Sequence, residues 1–350
     1  MRRTANRRVR LAAVLTVASL GLLACGSSNE TTSTGAAPSA ATSTFKVGLA
    51  YDVGGRGDRS FNDAAAAGLD KAVAELGITK EELSPNASGS DRGDNLRSLA
   101  EGGFNPVIAV GFAYAESLTT IAADFPDTTF FIVDDASVKL PNVKALTFAE
   151  EQGSFLVGAA AALKSKTGNV GYIGGVQTPL LKKFEAGFIA GAKQVKPSSK
   201  TQDKDLSQPP DSSCFGSPAK GPETPNGMYD AGADVIYAAA GGSGTGVFQS
   251  ALAKGKKAIG VDSDQYKSVG DPTLQPVILT SMLKRVDVAV FQSLEKFSKK
   301  QEIPAQTVFD LKIDGVGYSE SGGFITDITP QLEGLKAKII SGEITVPTTP

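Results

Sequence analysis

Gly54-Gly55-Arg56-Gly57-Asp58-Arg59-Ser60-Phe61-Asn62-Asp63 is the stretch on which the reading of this chain turns. An apolar run, Phe45 to Ala50, precedes it and reads as a strand; Ala64 to Val73 follows and reads as a helix. A glycine-rich loop from a strand end to a helix start brings backbone N–H groups and the positive helix end to the rim of a sheet. In open α/β sheets small ligands sit at that rim, outside the carboxyl ends of the strands. Here the loop closes on an aromatic ring and an amide, Phe61 and Asn62, and is expected to form one wall of a ligand pocket.

Upstream of this strand the chain changes character. Residues 1–24 have a basic start, Met1 to Arg10, then an apolar run from Leu11 to Ala24. That is the shape of a secretory signal, and the run is short for a membrane span. The end, Leu22-Leu23-Ala24-Cys25-Gly26, resembles a bacterial lipobox, which makes Cys25 the expected lipid-bearing first residue after cleavage. The alternative is a plain cleaved signal with a chance cysteine. Lipid on Cys25 would hold the chain to the outer face of the cell membrane without spanning it. Residues 25–44 are, apart from Cys25, Asn29 and Glu30, all Ser, Thr, Ala, Gly and Pro with no bulky apolar side chains, a composition suited to a flexible tether.

Charge and composition exclude several classes. The chain has 35 Lys+Arg against 37 Asp+Glu, a net of −2; loss of residues 1–24 removes five arginines and no acids, moving it to −7. Nothing resembles the basic footprint of a nucleic-acid-binding protein, so no nucleic-acid partner is expected. With Cys25 lipidated, Cys214 stands alone and reads as a structural thiol. There is no histidine. A Ser-His-Asp or Cys-His arrangement is therefore impossible, and a zinc site would need unusual ligands. No catalytic residues, metal or cofactor are expected, and binding is favoured over catalysis.

Downstream, apolar runs ending in glycine or aspartate alternate with helical patterns. Strands are expected at Pro106–Gly111, Thr129–Asp135 and Val143–Phe148, with helices at Ala64–Leu76, Asp91–Gly102 and Ser117–Phe125. The scheme then restarts: helix Glu150–Leu163, strand Asn169–Gly175, helix Lys182–Lys193, strand Ala233–Ala240, helix Val247–Ala253, strand Lys257–Asp262. This predicts an α/β protein of two doubly wound parallel-sheet lobes facing each other across a cleft. The first lobe is assigned to 45–150 with part of 280–320, the second to 151–279 with part of 320–350. Val277–Thr280 reads as a strand and Lys284–Ser298 as a helix. Between Pro197 and Gly227 five prolines break the pattern, leaving a surface excursion with no placed strand.

Strand ends and their loops carry Asp52, Phe61, Asn62, Gly111, Asp134, Asp135, Gly174, Phe184, Gly241, Gly242, Gly244, Asp262 and Asp264. Two such lobes would gather them at one cleft. Each also has a plainer use: aromatics at helix starts serve cores, and aspartates at strand ends cap helices. Gly241–Gly246 lacks the Gly-Lys-Ser/Thr ending of a phosphate loop, and reads as clearance for close approach of the chain to a ligand. Asp262-Ser263-Asp264 is too poor in oxygen ligands to argue a cation site.

Several blocks together resemble one family. They are Asp58-Arg59-Ser60-Phe61-Asn62, Phe131-Ile132-Val133-Asp134, Lys183-Phe184-Glu185-Ala186-Gly187-Phe188, Gly232 to Ile236, Gly241 to Val247, Ile259 to Gln265, and Thr280-Ser281-Met282-Leu283-Lys284-Arg285. The family is the basic membrane protein lipoproteins, substrate-binding components of ABC importers that include purine-nucleoside receptors. The resemblance implies a type I periplasmic-binding-protein fold with three crossovers between lobes. It also implies an ABC permease and ATPase as partners, and a purine nucleoside as ligand. Phe61 and Phe184 would then sandwich the purine, Asp134 would accept from base N–H groups, and Asn62, Asp262 and Lys284 would hold the ribose, with Gly242 and Gly244 close by. The segment from Ser198 to Asn226 departs from the family's strand and regular helix, which puts ligand contacts from that part in doubt. A sugar or other small solute as ligand, or a sensor role toward a membrane kinase, are the competing readings.

Overall fold

The computed structural model describes residues 45–216 and 223–350. The predicted signal segment, the tether and Cys25 lie outside the described residues. In chain order the elements begin with β1 (Lys46–Ala50), α1 (Phe61–Leu76), β2 (Thr79–Leu83), α2 (Arg92–Glu101), β3 (Val107–Ala109), α3 (Ala115–Asp124), β4 (Phe130–Val133) and β5 (Val143–Phe148). There follow α4 (Glu150–Lys164), β6 (Asn169–Val176), α5 (Pro179–Val195), β7 (Lys200–Ser207), α6 (Glu223–Asp230), β8 (Val235–Ala239), α7 (Gly244–Lys254) and β9 (Lys257–Asp262). The chain closes with α8 (Gln265–Ser268), β10 (Ile278–Lys284), α9 (Val286–Ser298), β11 (Gln306–Phe309), β12 (Val316–Tyr318) and α10 (Thr329–Ile340).

These strands make two six-stranded sheets. One has the order β2-β1-β3-β4-β5-β11, the other β7-β6-β8-β9-β10-β12. Pairing is parallel throughout except for β10 with β12. The interior strands β3, β4 and β8 are continuous apolar runs, and β1 and β9 are apolar apart from their charged ends, because helices cover both faces. The orders are the same in both sheets, so the first strand's loop lies at the point where the order reverses. That is the ligand crevice of a doubly wound sheet.

The chain passes between lobes three times: at Ala149 between β5 and α4, at Arg285 between β10 and α9, and between β11 and β12. After the second crossing α9 packs on α1; after the third, α10 packs on α4. One buried cluster runs through this hinge and joins the two lobes, with Phe148 stacked on Phe309 at 5.3 Å inside it. The second lobe's α4 and α5 approach too closely for side chains between them. A Cβ on Gly158 would stand 2.1 Å from the Phe188 carbonyl oxygen, and one on Gly191 1.9 Å from that of Phe155.

Three readings change here. The Pro197–Gly227 stretch contains strand β7 and leads into α6, so it holds regular structure after all. Strand β10 runs on to Lys284, which is its last residue rather than the start of a helix. Strand β2, polar and partly exposed on the edge of its sheet, carries no periodic signal that would have revealed it.

Candidate functional site

A cavity lies between the sheets' carboxyl ends, small in this closed arrangement at about 60 Å³. The first lobe lines it with Asp52, Val53, Asp58, Phe61, Asn62, Gly111, Phe112 and Asp134. From the second come Leu180, Leu181, Phe184, Phe215, Ala239, Gly241, Val261, Asp262 and Lys284.

The opening loop is wired by its own acids. Gly54, Gly55 and Gly57 take positive φ angles of 99°, 59° and 107°, conformations that side chains with a Cβ resist. The Asp58 carboxylate accepts from the backbone N–H groups of Ser60, Asn62 and Asp63 at 2.8–3.1 Å, covering donors that the first turn of α1 leaves open. Asp63 accepts in turn from Gly57 and Arg59 N–H. Phe61 is thereby fixed as the first residue of α1. Asn62 Oδ1 accepts from the Asp52 N–H at 3.0 Å, which sets the orientation of its amide. Asp52 itself is paired with Arg92 at 2.6 Å; burial still pushes its carboxyl above the ordinary value.

Each lobe contributes one carboxylate in a left-handed backbone conformation at a strand end: Asp134 after β4, φ 70°, and Asp262 at the end of β9, φ 63°. Non-glycine residues held there are strained, and such strain concentrates at ligand sites. Asp134 Oδ2 accepts from the Lys284 ammonium, while Asp134 Oδ1 is buried without a hydrogen-bond partner. Lys284 is 2% exposed. Its Nζ stands 4.8, 5.1 and 5.5 Å from the ring centres of Phe61, Phe148 and Phe184, within range of cation–π attraction. Burial works against its charge, but Asp134, Glu150 and Asp262 outweigh that and hold its pKa above the ordinary lysine value. Burial pushes Asp262 up to about 6, held back by Lys284 and by the hydrogen bond from Ser60.

The lobes are in contact around this cavity. Ser60 Oγ donates to Asp262 Oδ2 at 2.6 Å, with the Val261 carbonyl oxygen at 3.1 Å. Ser263 Oγ donates to the Ser60 carbonyl, and Gln265 Nε2 and Ser268 Oγ to the Arg59 carbonyl. Arg92 donates to Ser212 Oγ across the other side at 3.2 Å. The glycine-rich loop is thus the part of the first lobe that the second lobe grips.

Of the eight ligand residues expected from sequence, Phe61, Asn62, Asp134, Phe184, Asp262 and Lys284 border the cavity. Gly242 and Gly244 do not; Gly241 does. A Cβ on Gly242 would meet the Phe215 carbonyl oxygen at 3.3 Å and Asp58 Cβ at 3.5 Å, so that glycine makes room for chain rather than ligand. Lys284 is engaged with Asp134 instead of standing apart with Asp262. Of the other strand-end acids, Asp135 caps Ser137 and Asp264 is taken by Ser321 and Lys267. Phe188 belongs to the core, packed on Tyr172 and Tyr237.

Phe215 and Phe112 were missed. Phe215 contradicts the doubt cast on the 198–226 stretch. Its ring occupies the space above Gly175, where a Cβ would come within 2.2 Å of it, and the neighbouring Cys214 carbonyl accepts from Ser243 Oγ. A glycine inside a strand is the sequence signal of such close approach. Among the described residues no group of three or more acids or cysteines is placed to hold a metal ion.

The family model for Bmp, the ABC transporter substrate-binding protein PnrA-like family, matches residues 45–350. The chain belongs to that family. Within it, this chain is 32% identical to the ABC transporter nucleoside-binding protein BmpA of Lactococcus lactis subsp. cremoris, over 98% of this chain and 99% of that one. It is 35% identical to a CD4+ T-cell-stimulating antigen of Listeria innocua, over 99% of each. A solved ABC transporter solute-binding protein from Aeropyrum pernix K1 superposes with a TM-score of 0.75 at 27% identity, covering 87% of this chain and 93% of that one. This PnrA-like chain is accordingly an ABC transporter substrate-binding protein of the type I periplasmic fold, a role that implies a permease, an ATPase and a small-molecule ligand. Among its described residues no helix is long and apolar enough to cross a membrane.

Proposed function

We propose that this protein is a lipid-anchored receptor that closes its lobes on a purine nucleoside and hands it to the permease of an ABC importer. The observation that carries the reading is the make-up of one cavity: aromatic faces from both lobes around a buried Asp134–Lys284 pair. Phe61 and Phe184 sandwich the purine, with Phe215 as a further wall. Asp134 Oδ1, buried and unpartnered, is the acceptor for a base N–H. Asn62, Asp262 and Lys284 take the ribose hydroxyls. A relative over nearly the whole length is named a nucleoside-binding protein, which supports the same ligand class.

Titration calorimetry on protein stripped of ligand by unfolding and refolding tests this. Guanosine, inosine or adenosine should bind at micromolar concentration or below. Base–aromatic stacking contributes about 1–3 kcal/mol, so Phe61→Ala should weaken binding roughly 5- to 150-fold. Heat with a sugar and none with any nucleoside would overturn the ligand assignment. Mass spectrometry of small molecules released from freshly purified protein gives an independent answer.

A further inference from the structure

Glu150 belongs to the central charge cluster but does not border the cavity. It opens α4 directly after the first crossing between the lobes, and its residue is fully buried. Its Oε2 accepts from Lys183 Nζ at 3.0 Å; that lysine also donates to the Phe148 carbonyl at the end of β5. Its Oε1 has no hydrogen-bond partner and stands 3.8 Å from Lys284 Nζ. The groups that face it are Lys284 from β10, Asp134 from the end of β4, Lys183 from α5 and the Tyr237 hydroxyl from β8. Lys284 therefore has two carboxylates in reach, Asp134 on the cavity side and Glu150 behind it.

A ligand changes the balance between those two. A base N–H on Asp134 draws on the charge that otherwise holds Lys284, and a ligand hydroxyl asks the ammonium to turn away from Asp134. In a buried site an ammonium that loses its only counter-ion is severely penalised. A second carboxylate out of the ligand's reach removes that conflict. We propose that Glu150 is a positioning residue of this receptor, which holds the Lys284 ammonium from behind the cavity wall so that Asp134 is released to the ligand. The proposal rests on the reading that the ligand bonds to Asp134 and Lys284.

A proton dependence follows. Burial pushes the Glu150 carboxyl up to about 7, while Lys284 and Lys183 pull it down. Ionised Glu150 shares Lys284; protonated Glu150 leaves Asp134 as its direct ion-pair partner, with Asp262 acting from farther off, and the ligand must compete with that pair. Affinity should fall as pH drops through about 7, by up to about tenfold per unit of pK difference between free and bound protein.

The test compares wild type, Glu150→Gln and Lys183→Met by titration with inosine and guanosine from pH 5.5 to 8.5. Glutamine keeps the volume and mimics the neutral acid, so the fold is retained. Glu150→Gln should bind about tenfold more weakly than wild type at pH 8 and show no change between pH 8 and 7. A lower limb from Asp262 should remain. Lys183→Met removes a cation that depresses the Glu150 carboxyl, and should move the midpoint upward. A structural role alone would not shift that midpoint. Glu150→Gln with the wild-type affinity and pH profile would overturn the proposal. Nitrogen-15 NMR of the Lys284 ammonium in ligand-free protein separates this from the ligand assignment. A step near pH 7 that Glu150→Gln abolishes upholds the coupling even if no nucleoside binds, and its absence refutes it.

Discussion

Replacing Lys284 by methionine is the sharpest probe of the charge cluster, because the side chain keeps its length and loses only its ammonium. In the wild type that ammonium is 2% exposed and lies against Asp134, with Glu150 at 3.8 Å and three phenyl rings around it. Removing one member of a buried pair typically costs about 3–5 kcal/mol, since the other charge stays buried and uncompensated. At roughly 2 °C per kcal/mol for a chain of this size, the midpoint of thermal unfolding should fall by about 6–10 °C at pH 8. The deficit should also depend on pH, and its sign follows from Glu150. Its carboxyl is raised in the folded state from an ordinary 4.5 to about 7, so between those values the folded state binds more protons and stability falls as pH rises. Wild type and variant share that slope up to about pH 6, where Asp262, which Lys284 also depresses, begins to ionise in the wild type first; Glu150 follows near pH 7. Above about pH 7 the wild type ionises Glu150 beside Lys284 and the slope flattens. The variant has lost the cation that depresses this acid, so its stability continues to fall. The gap between the two melting curves should therefore be smallest near pH 6, where only the loss at Asp134 is felt, and widen toward pH 8.5. Calorimetry or circular dichroism on ligand-stripped protein measures it. A gap that stays constant from pH 6 to 8.5, or a variant as stable as wild type at pH 8, would refute the electrostatic account.

Gly175→Ala places a methyl group where the Phe215 ring lies, 2.2 Å from its nearest atom; overpacking of this kind costs about 1–3 kcal/mol. The ring should be driven from its seat, and calorimetry should show nucleoside binding about tenfold weaker; unchanged affinity would remove Phe215 from the cavity wall. The double variant Ser263→Ala/Ser268→Ala deletes two hydrogen bonds between lobes without touching the cavity, each contributing about 0.5–1.5 kcal/mol. X-ray scattering of the ligand-free protein should report a larger radius of gyration, and stopped-flow measurements should report faster ligand release. For the predicted anchor, Cys25→Ala should move the exported protein from the detergent phase to the aqueous phase in a phase-partition assay.

How much of this was legible in the sequence depends on where each signal is made. The interior strands were readable because a strand covered on both faces must be apolar along its whole length, as Val107–Ala109 and Phe130–Val133 are. Edge strands carry no such demand. Thr79–Leu83 and Lys200–Ser207 are full of charge because one side of each faces solvent, and they gain their strand character only from a neighbour far away in the chain. The glycine-rich loop announced itself through spacing, yet Gly242 shows the limit of that signal. A glycine records close approach without saying whether ligand or chain is approaching, and at Gly242 it is the Phe215 backbone. Phe215 was hidden for a related reason: its seat is Gly175, forty residues earlier and on another element.

Lys284 carries this argument furthest. Helical spacing continues backward from Val286 and absorbs Lys284 into a helix, where its side chain would have no defined direction. The structure makes it the last residue of β10, paired in register opposite Val316 of an antiparallel neighbour, with the crossing to the first lobe beginning at the next residue. A side chain at the carboxyl end of an interior strand points over the rim where the two sheets face each other. It meets there an acid 150 residues earlier and another 134 residues earlier, neither of which any local pattern connects to it. The identity of the residue was visible in sequence, and so was its block. What made it a buried ammonium shared between two carboxylates was the topology of the second crossing, which no periodicity encodes.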